Sequence, residues 1–268
     1  MQVAFLMMFG VFVGTLGTML GIGGGWLHVP FLMLVFNFTP QKAIADSIGI
    51  IFFNTLAGSL IYYSQKRIDV DLAKKMAVAV LPGAILGPIL VQRYTSNFFF
   101  FFFFSLLLVG IALYMFWQEK PIRILPAHRY NRVTTITDKL GHSVTYRTSV
   151  ELGVIGTFII GFIANLFGIG GGIIHVPFLI LFLGIPTHIA LGTSHFILCI
   201  SSGIGLVMFT IMGNVEVDFM MPIALGAILG ARIGAEFARR TRADILRRML
   251  AAVVLIVAFR MFLRGLGK

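Results

Sequence analysis

The chain has 268 residues, 58% hydrophobic and only 12% charged, with a net charge of +11. A soluble domain carries about 25% charged residues, so a water-soluble enzyme or nucleic-acid-binding domain is a poor reading; Lys and Arg gathered in cytoplasmic loops of a membrane protein fit better. One cysteine, Cys199, leaves no disulfide framework and no cysteine metal site.

Apolar runs recur from end to end, which predicts an all-α polytopic membrane protein. Lipid gives backbone groups no partner, so the spans must be helical. The runs do not alternate as barrel strands would. Residues 3–20 form the first segment and, lacking a basic leader, are expected to be retained. The segment ends at Gly21-Ile-Gly-Gly-Gly-Trp-Leu-His-Val-Pro-Phe-Leu32. Residues 26–38 are apolar but reach only about 20 Å as a helix, short of a core of roughly 30 Å. They predict a half-helix or re-entrant segment, and 173–184 do the same later. Residues 43–63, 76–92 and 98–117 predict spans, with the polar turn Ser64-Gln-Lys-Arg-Ile-Asp-Val-Asp71 after the first. Seven phenylalanines, Phe98 to Phe104, read as lipid-facing bulk. Gly83-x-x-x-Gly87 and Gly226-x-x-x-Gly230-x-x-x-Gly234 read as close helix contacts.

Residues 118–149 are the only long polar stretch and carry Lys120, Arg123, Arg129, Arg132, Lys139 and Arg147. A small hairpin around Asp138–Gly141 can form, but a plain linker is the preferred expectation.

The chain then repeats itself. Gly168-Ile-Gly-Gly-Gly-Ile-Ile-His-Val-Pro-Phe-Leu179 matches the first glycine stretch at ten of twelve positions. A register of 147 carries Gly14 to Gly161, His28 to His175 and Arg67–Asp71 to Asn214–Asp218; after a loss of four residues, Gly83–Gly87 falls on Gly226–Gly230. The expected organisation is a first repeat at 1–117, a basic cytoplasmic linker at 118–149 and a second repeat at 150–268. The basic loops do not repeat. Loop 64–75 carries four Lys or Arg and its counterpart 213–218 none, whereas Arg239, Arg240, Arg242, Arg247 and Arg248 answer a loop holding only Arg93. Short basic loops stay in the cytoplasm, so the halves are expected to be inverted, in the cell (inner) membrane, with both termini outside.

Inverted repeats with broken helices place substrate near the midplane. A helix starting there offers unpaired amides and a positive dipole end, and glycines let an anion come close. The expected substrate-binding residues are Gly23, Gly24, Gly25 and His28, and Gly170, Gly171, Gly172 and His175. Pro30 and Pro177 set the paths of the short helices. Ala45-Asp46-Ser47 and Gly192-Thr193-Ser194-His195 open the following spans; Ser47, Thr193, Ser194 and His195 are candidate donors, and Asp46 or Ser47 and Thr193 or Ser194 can equally serve as helix caps. Each histidine can pack as a hydrogen bonder, bind the anion or carry a proton. Asn54, Asn165 and Arg232 also lie in apolar surroundings, Arg232 favouring a snorkelling role. The glycines lack the strand, the GK[ST] and the acidic partner of a nucleotide loop. No catalytic constellation, cofactor site or metal set is evident.

The duplicated G-I-G-G-G-x-x-x-V-P-F-L, the T-S at Thr193-Ser194, G-N-V-E-V-D at 213–218 and G-A-I-L-G-A-R-I-G-A at 226–235 resemble the sulfite exporter TauE/SafE family. The resemblance covers nearly the whole chain except 118–149. It implies a secondary permease for small sulfur-containing anions such as sulfite or organosulfonates, in some members other organic acids, and points to Gly23–Gly25, Gly170–Gly172, Pro30, Pro177, Thr193 and Ser194. Asp46-Ser47 departs from the usual T-S, and His28 and His175 are not general to the family. The alternatives are a permease for another small organic acid, or for a cation held by Asp46 and the histidines. The expected partners are a small anion and the lipid bilayer, with proton coupling and a homodimer left open.

Overall fold

The computed structural model describes residues 2–94, 97–117, 129–139, 141–168 and 170–242, with isolated positions from 245 to 263. Its helices are α1 (Gln2–Met19), α2 (Gly25–Val35), α3 (Pro40–Ser64), α4 (Val70–Tyr94), α5 (Asn97–Trp117), α6 (Val150–Phe167), α7 (Gly172–Leu181), α8 (Thr187–Ile211) and α9 (Val217–Arg240). A hairpin, β1 (Arg132–Thr137) and β2 (Ser143–Thr148), separates α5 from α6. Among the described residues six helices, α1, α3, α4, α6, α8 and α9, are long and apolar enough to cross a membrane. At 1.5 Å per residue, α2 and α7 reach only about half of a bilayer core.

Local chemistry sets the boundaries. Pro40 follows the N-cap Thr39, a position where its missing N–H costs nothing. The Ser149 hydroxyl accepts from the Leu152 amide and starts α6. Helix α4 begins at Val70, six residues before the expected 76, because the Asp69 carboxylate accepts the Leu72 amide at 3.2 Å and caps the helix. Lys74 and Lys75, which weaken the apolar signal there, point outward. Of the seven phenylalanines, the side chains of Phe102 and Phe103 are described, and both are exposed on α5.

The two sequence halves do not fold as two separate bundles. Helix α1 packs along α9, α4 along α6, and α3 along α8 at the centre. The small-residue seams make the first two contacts close. A Cβ on Gly230 would lie 2.3 Å from the Val11 carbonyl oxygen, and one on Gly83 would lie 2.4 Å from the Phe162 nitrogen. Both of these pairs run parallel: Gly10 faces Ile223 and Gly14 faces Ala227, while Gly83 faces Phe162 and Gly87 faces Asn165. Helices α3 and α8 run antiparallel, since Gly58 meets His195 while Ile48 meets Gly205.

The hairpin forms where a plain linker was the preferred expectation. Its strands pair antiparallel from Arg132 opposite Thr148 to Thr137 opposite Ser143. Docking onto loop 65–69 stabilises it. Arg132 grips the Asp69 carboxylate at 2.5 and 2.8 Å, and the Tyr146 hydroxyl donates to it at 2.5 Å. Arg67 pairs with Asp138 at 3.1 Å, and the Lys139 amide donates to the Gln65 carbonyl. Burial alone would raise the Asp69 carboxyl, but hydrogen bonds from Arg132, Tyr146 and the Leu72 amide hold it below the usual carboxylate range. The basic residues Lys120, Arg123 and Arg247 lie outside the described residues.

Candidate functional site

The two glycine stretches meet inside the bundle. The Gly17 carbonyl accepts the Ile22 and Gly23 amides at 2.8 and 3.1 Å, turning the chain out of α1. Gly24 (φ 89°) and Gly171 (φ 74°) sit in the left-handed region as the N-caps of α2 and α7. The first helical bonds in the next turns come from the Leu27 and Ile174 amides, each at 3.0 Å. The amides of Gly25, Trp26, Gly172 and Ile173 therefore precede the bonded ladder of their helices. A Cβ on Gly172 would lie 2.3 Å from Ile22 Cα, so the second stretch rests directly on the backbone of the first. Gly23 and Gly170 both pack on the side chain of Ile51. Ile22 and Ile51 are fully buried, so apolar side chains fill the meeting point. Pro30 and Pro177 lie inside α2 and α7. Lacking an N–H, they leave the carbonyls of Trp26 and Ile173 without the usual donor four residues on.

Reciprocal hydrogen bonds cross between the halves. Ser47 Oγ donates to the Gly168 carbonyl at 2.7 Å, and Ser194 Oγ donates to the Gly21 carbonyl at 3.1 Å. Asp46 Oδ1 accepts the Glu216 amide at 2.8 Å, and Thr193 Oγ1 accepts the Asp69 amide at 3.1 Å. Adding 147 to the first-half residue and subtracting it from the second-half one turns each bond into its partner. The same register relates two bonds within the halves: Thr18 to Asn54 at 3.1 Å, and Asn165 to Ser201 at 2.9 Å. Asp46-Ser47 and Thr193-Ser194 do not cap their own helices, as one reading of the sequence had it. They are the seventh and eighth residues of α3 and α8, and they brace the opposite half instead.

The three candidate histidines have different surroundings. His175 Nε2 lies 3.1 Å from Thr157 Oγ1, and its Nδ1 lies 3.4 Å from Ser194 Oγ. It borders a cavity of about 10 Å³ together with Gly170, Gly171 and Ser201, close to the least room that admits one water. His28 is fully buried with no partner for either ring nitrogen, edge-on to Phe9. Its missing partner has a steric cause. Gly10 stands where the second half has Thr157, and any side chain there would strike the Ile223 carbonyl at 2.1 Å. His195 places Nδ1 3.3 Å from the Leu191 carbonyl and leaves Nε2 unpaired, beside Tyr62 and against Gly58. Tyr62 donates to the Thr18 carbonyl at 2.8 Å. Asn54 donates to the Gly23 carbonyl at 3.2 Å, and Asn165 to the Gly161 carbonyl at 2.8 Å. Thr18, Tyr62, Thr157 and Ser201 were not singled out from the sequence. The register of 147 pairs Thr18 with Asn165 and Asn54 with Ser201, a signal that finds two of them. Arg232 is exposed on α9, away from the glycine stretches. Among the described residues no three His, Cys, Asp or Glu cluster as a metal set would.

Helix starts, hydroxyls, amides and imidazoles gathered inside the bundle have the chemistry to hold a small dehydrated solute by hydrogen bonds and dipoles. The class defined here is a polytopic α-helical membrane protein with an internally duplicated sequence. The chain matches the sulfite exporter TauE/SafE family over residues 6–261 and belongs to it. It is 30% identical to the probable membrane transporter protein YunE of Bacillus subtilis (strain 168), covering 99% of both chains. It is 25% identical to the probable membrane transporter protein YjnA of the same organism, over 97% of this chain and all of that one. A probable membrane transporter of Methanocaldococcus jannaschii is 24% identical over 96% of this chain and 94% of its own. No solved structure matches the chain. The protein is therefore a membrane transporter of this family and not an enzyme.

Proposed function

We propose that the protein is a secondary transporter of small sulfur-containing anions, such as sulfite or organosulfonates, held midway through the membrane between the starts of α2 and α7. One observation carries the reading: two left-handed glycine caps start two short helices from opposite halves of the sequence, and Gly172, the first residue of α7, lies on the backbone of Ile22 in the stretch that leads to α2. Two positive helix ends then share one locus without a buried lysine beside it. Ile22 and Ile51 fill that locus, so binding requires the halves to part. His28, His175 and His195 supply neutral donors at its margins, and Ser47, Thr193 and Ser194 hold the two halves in register around it.

In this reading the repeats 1–117 and 150–268 are inverted. The antiparallel α3 and α8, which are equivalent by sequence, support this, because a two-fold axis relating antiparallel spanning helices lies in the membrane plane. The basic stretch 118–149 then lies in the cytoplasm and both termini outside the cell membrane.

Proteoliposomes loaded with buffer and exposed to labelled sulfite, sulfate, ethanesulfonate and a small carboxylate test the proposal. Saturable flux of a sulfur anion is expected, and it should be lost in Gly24→Leu. Flux of the carboxylate alone would make the protein an organic-acid permease. Flux of a cation, or of nothing by folded protein, would overturn the anion site.

A further inference from the structure

Asp46 is a fully buried carboxyl inside α3 that is satisfied on one oxygen only. Oδ1 accepts the Glu216 amide at 2.8 Å; Oδ2 is buried and has no partner. The equivalent position in the other half is Thr193, which makes the same bond to the Asp69 amide with a neutral hydroxyl. Threonine therefore suffices for the brace, and a carboxyl adds something the brace does not need. Two charged groups act on it: Glu216, at the entry to α9, and Lys42, one turn back on α3. Lys42 is paired with Glu216, and both side chains are well exposed. The other ionisable groups on the described parts of elements packed against α3 are His28 on α2, His188, His195 and Cys199 on α8, and Asp218, Arg232, Glu236, Arg239 and Arg240 on α9. Asp46 thus lies one step below a solvent-facing ion pair. On its other side, the next residue, Ser47, holds the Gly168 carbonyl at the approach to α7.

We propose that Asp46 is the proton-binding site of a proton–anion symporter, the proton taken up on Oδ2 as the anion enters. This rests on the anion-transport reading above. The chemistry sets the direction. A proton on Oδ2 turns an unpaired acceptor into a donor and removes a negative charge close to an arriving anion. Proton and anion therefore favour each other on the same side of the membrane, and one proton travels with each anion.

The test uses the whole protein in liposomes, with the membrane potential clamped near zero by potassium and valinomycin. An inward gradient of about one pH unit should accumulate labelled ethanesulfonate or sulfate about tenfold in wild type, since one pH unit is a tenfold driving force for one proton. Trapped pyranine should report acidification of the lumen. In Asp46→Asn and Asp46→Thr, the second being the residue the other half uses, accumulation and acidification should vanish while anion exchange stays measurable. Wild-type accumulation in either variant would overturn the proposal, as would alkalinisation in wild type. Should neither variant exchange anions, the infrared C=O stretch of a protonated carboxyl decides, read in folded wild type minus folded Asp46→Thr as anion is added. Its appearance supports the proton site and its absence overturns it. If wild type exchanges none of these anions, the transport reading itself falls, and this inference with it.

Discussion

Single residues at the meeting point are constrained from both halves at once. Gly172→Ala places a methyl 2.3 Å from Ile22 Cα, and overpacking of this kind costs about 1–3 kcal/mol. Thermal unfolding in detergent should show a clear fall in Tm. Ser47→Ala or Ser194→Ala leaves one glycine carbonyl of the opposite half without its donor, a loss of about 1 kcal/mol each. Both should lower Tm, Ser194→Ala by at least as much as Ser47→Ala because Ser194 also lies 3.4 Å from His175 Nδ1, and a shift from Ser194→Ala alone would break their equivalence. His28 behaves differently from His175. Both of its ring nitrogens are buried without partners, and an unsatisfied buried group costs about 1–3 kcal/mol. His28→Leu should therefore raise Tm, whereas His175→Leu, which orphans Thr157, should lower it. If His28 serves the substrate, the more stable variant will also transport less, a measurement that the same preparation allows.

At the scale of elements, the hairpin is the part whose stability should depend on pH. The Asp69 carboxyl is held below its usual value of 3.8 by Arg132, Tyr146 and the Leu72 amide. A depressed carboxyl stabilises the folded state fully above its unfolded value and loses that contribution as pH falls through the folded one. The difference in Tm between wild type and Asp69→Asn should thus be constant at neutral pH and shrink below about pH 4. A difference that grew on acidification would refute the Asp69 cluster as the cause. The hairpin itself was legible as a possibility from Asp138–Gly141 and its alternating flanks. Its formation was not, because the stabilising contacts come from Arg67 and Asp69, more than sixty residues away in sequence. The short helices α2 and α7 were legible from apolar length alone, since lipid sets the reach a span needs.

On the scale of the whole molecule, α1 lies on α9 and α4 on α6, so each half supplies a wall of the other. The fragment 1–117 expressed alone should be degraded or aggregate, and co-expression with 118–268 should restore folded material detectable by gel filtration. Orientation is read independently. In a Cys199→Ala background, a cysteine at Thr137 on the exposed hairpin should react with a membrane-impermeant maleimide only after the cell is opened. Labelling of intact cells would reverse the assigned topology.

By itself the sequence determined the solvent of this protein, its duplication and the two glycine stretches, because hydropathy and an internal register are properties of the chain written out in a line. Only the tertiary structure decided what the polar residues within the spans do. Ser47, Thr193, Ser194 and Asp46 bond to backbone atoms more than a hundred residues away, and no local pattern encodes such a pairing. The same holds for the unlike surroundings of His28 and His175. Their local sequences are nearly identical, and the difference lies on the preceding helices: Thr157 on α6 partners His175, whereas the equivalent Gly10 on α1 lies against the Ile223 backbone.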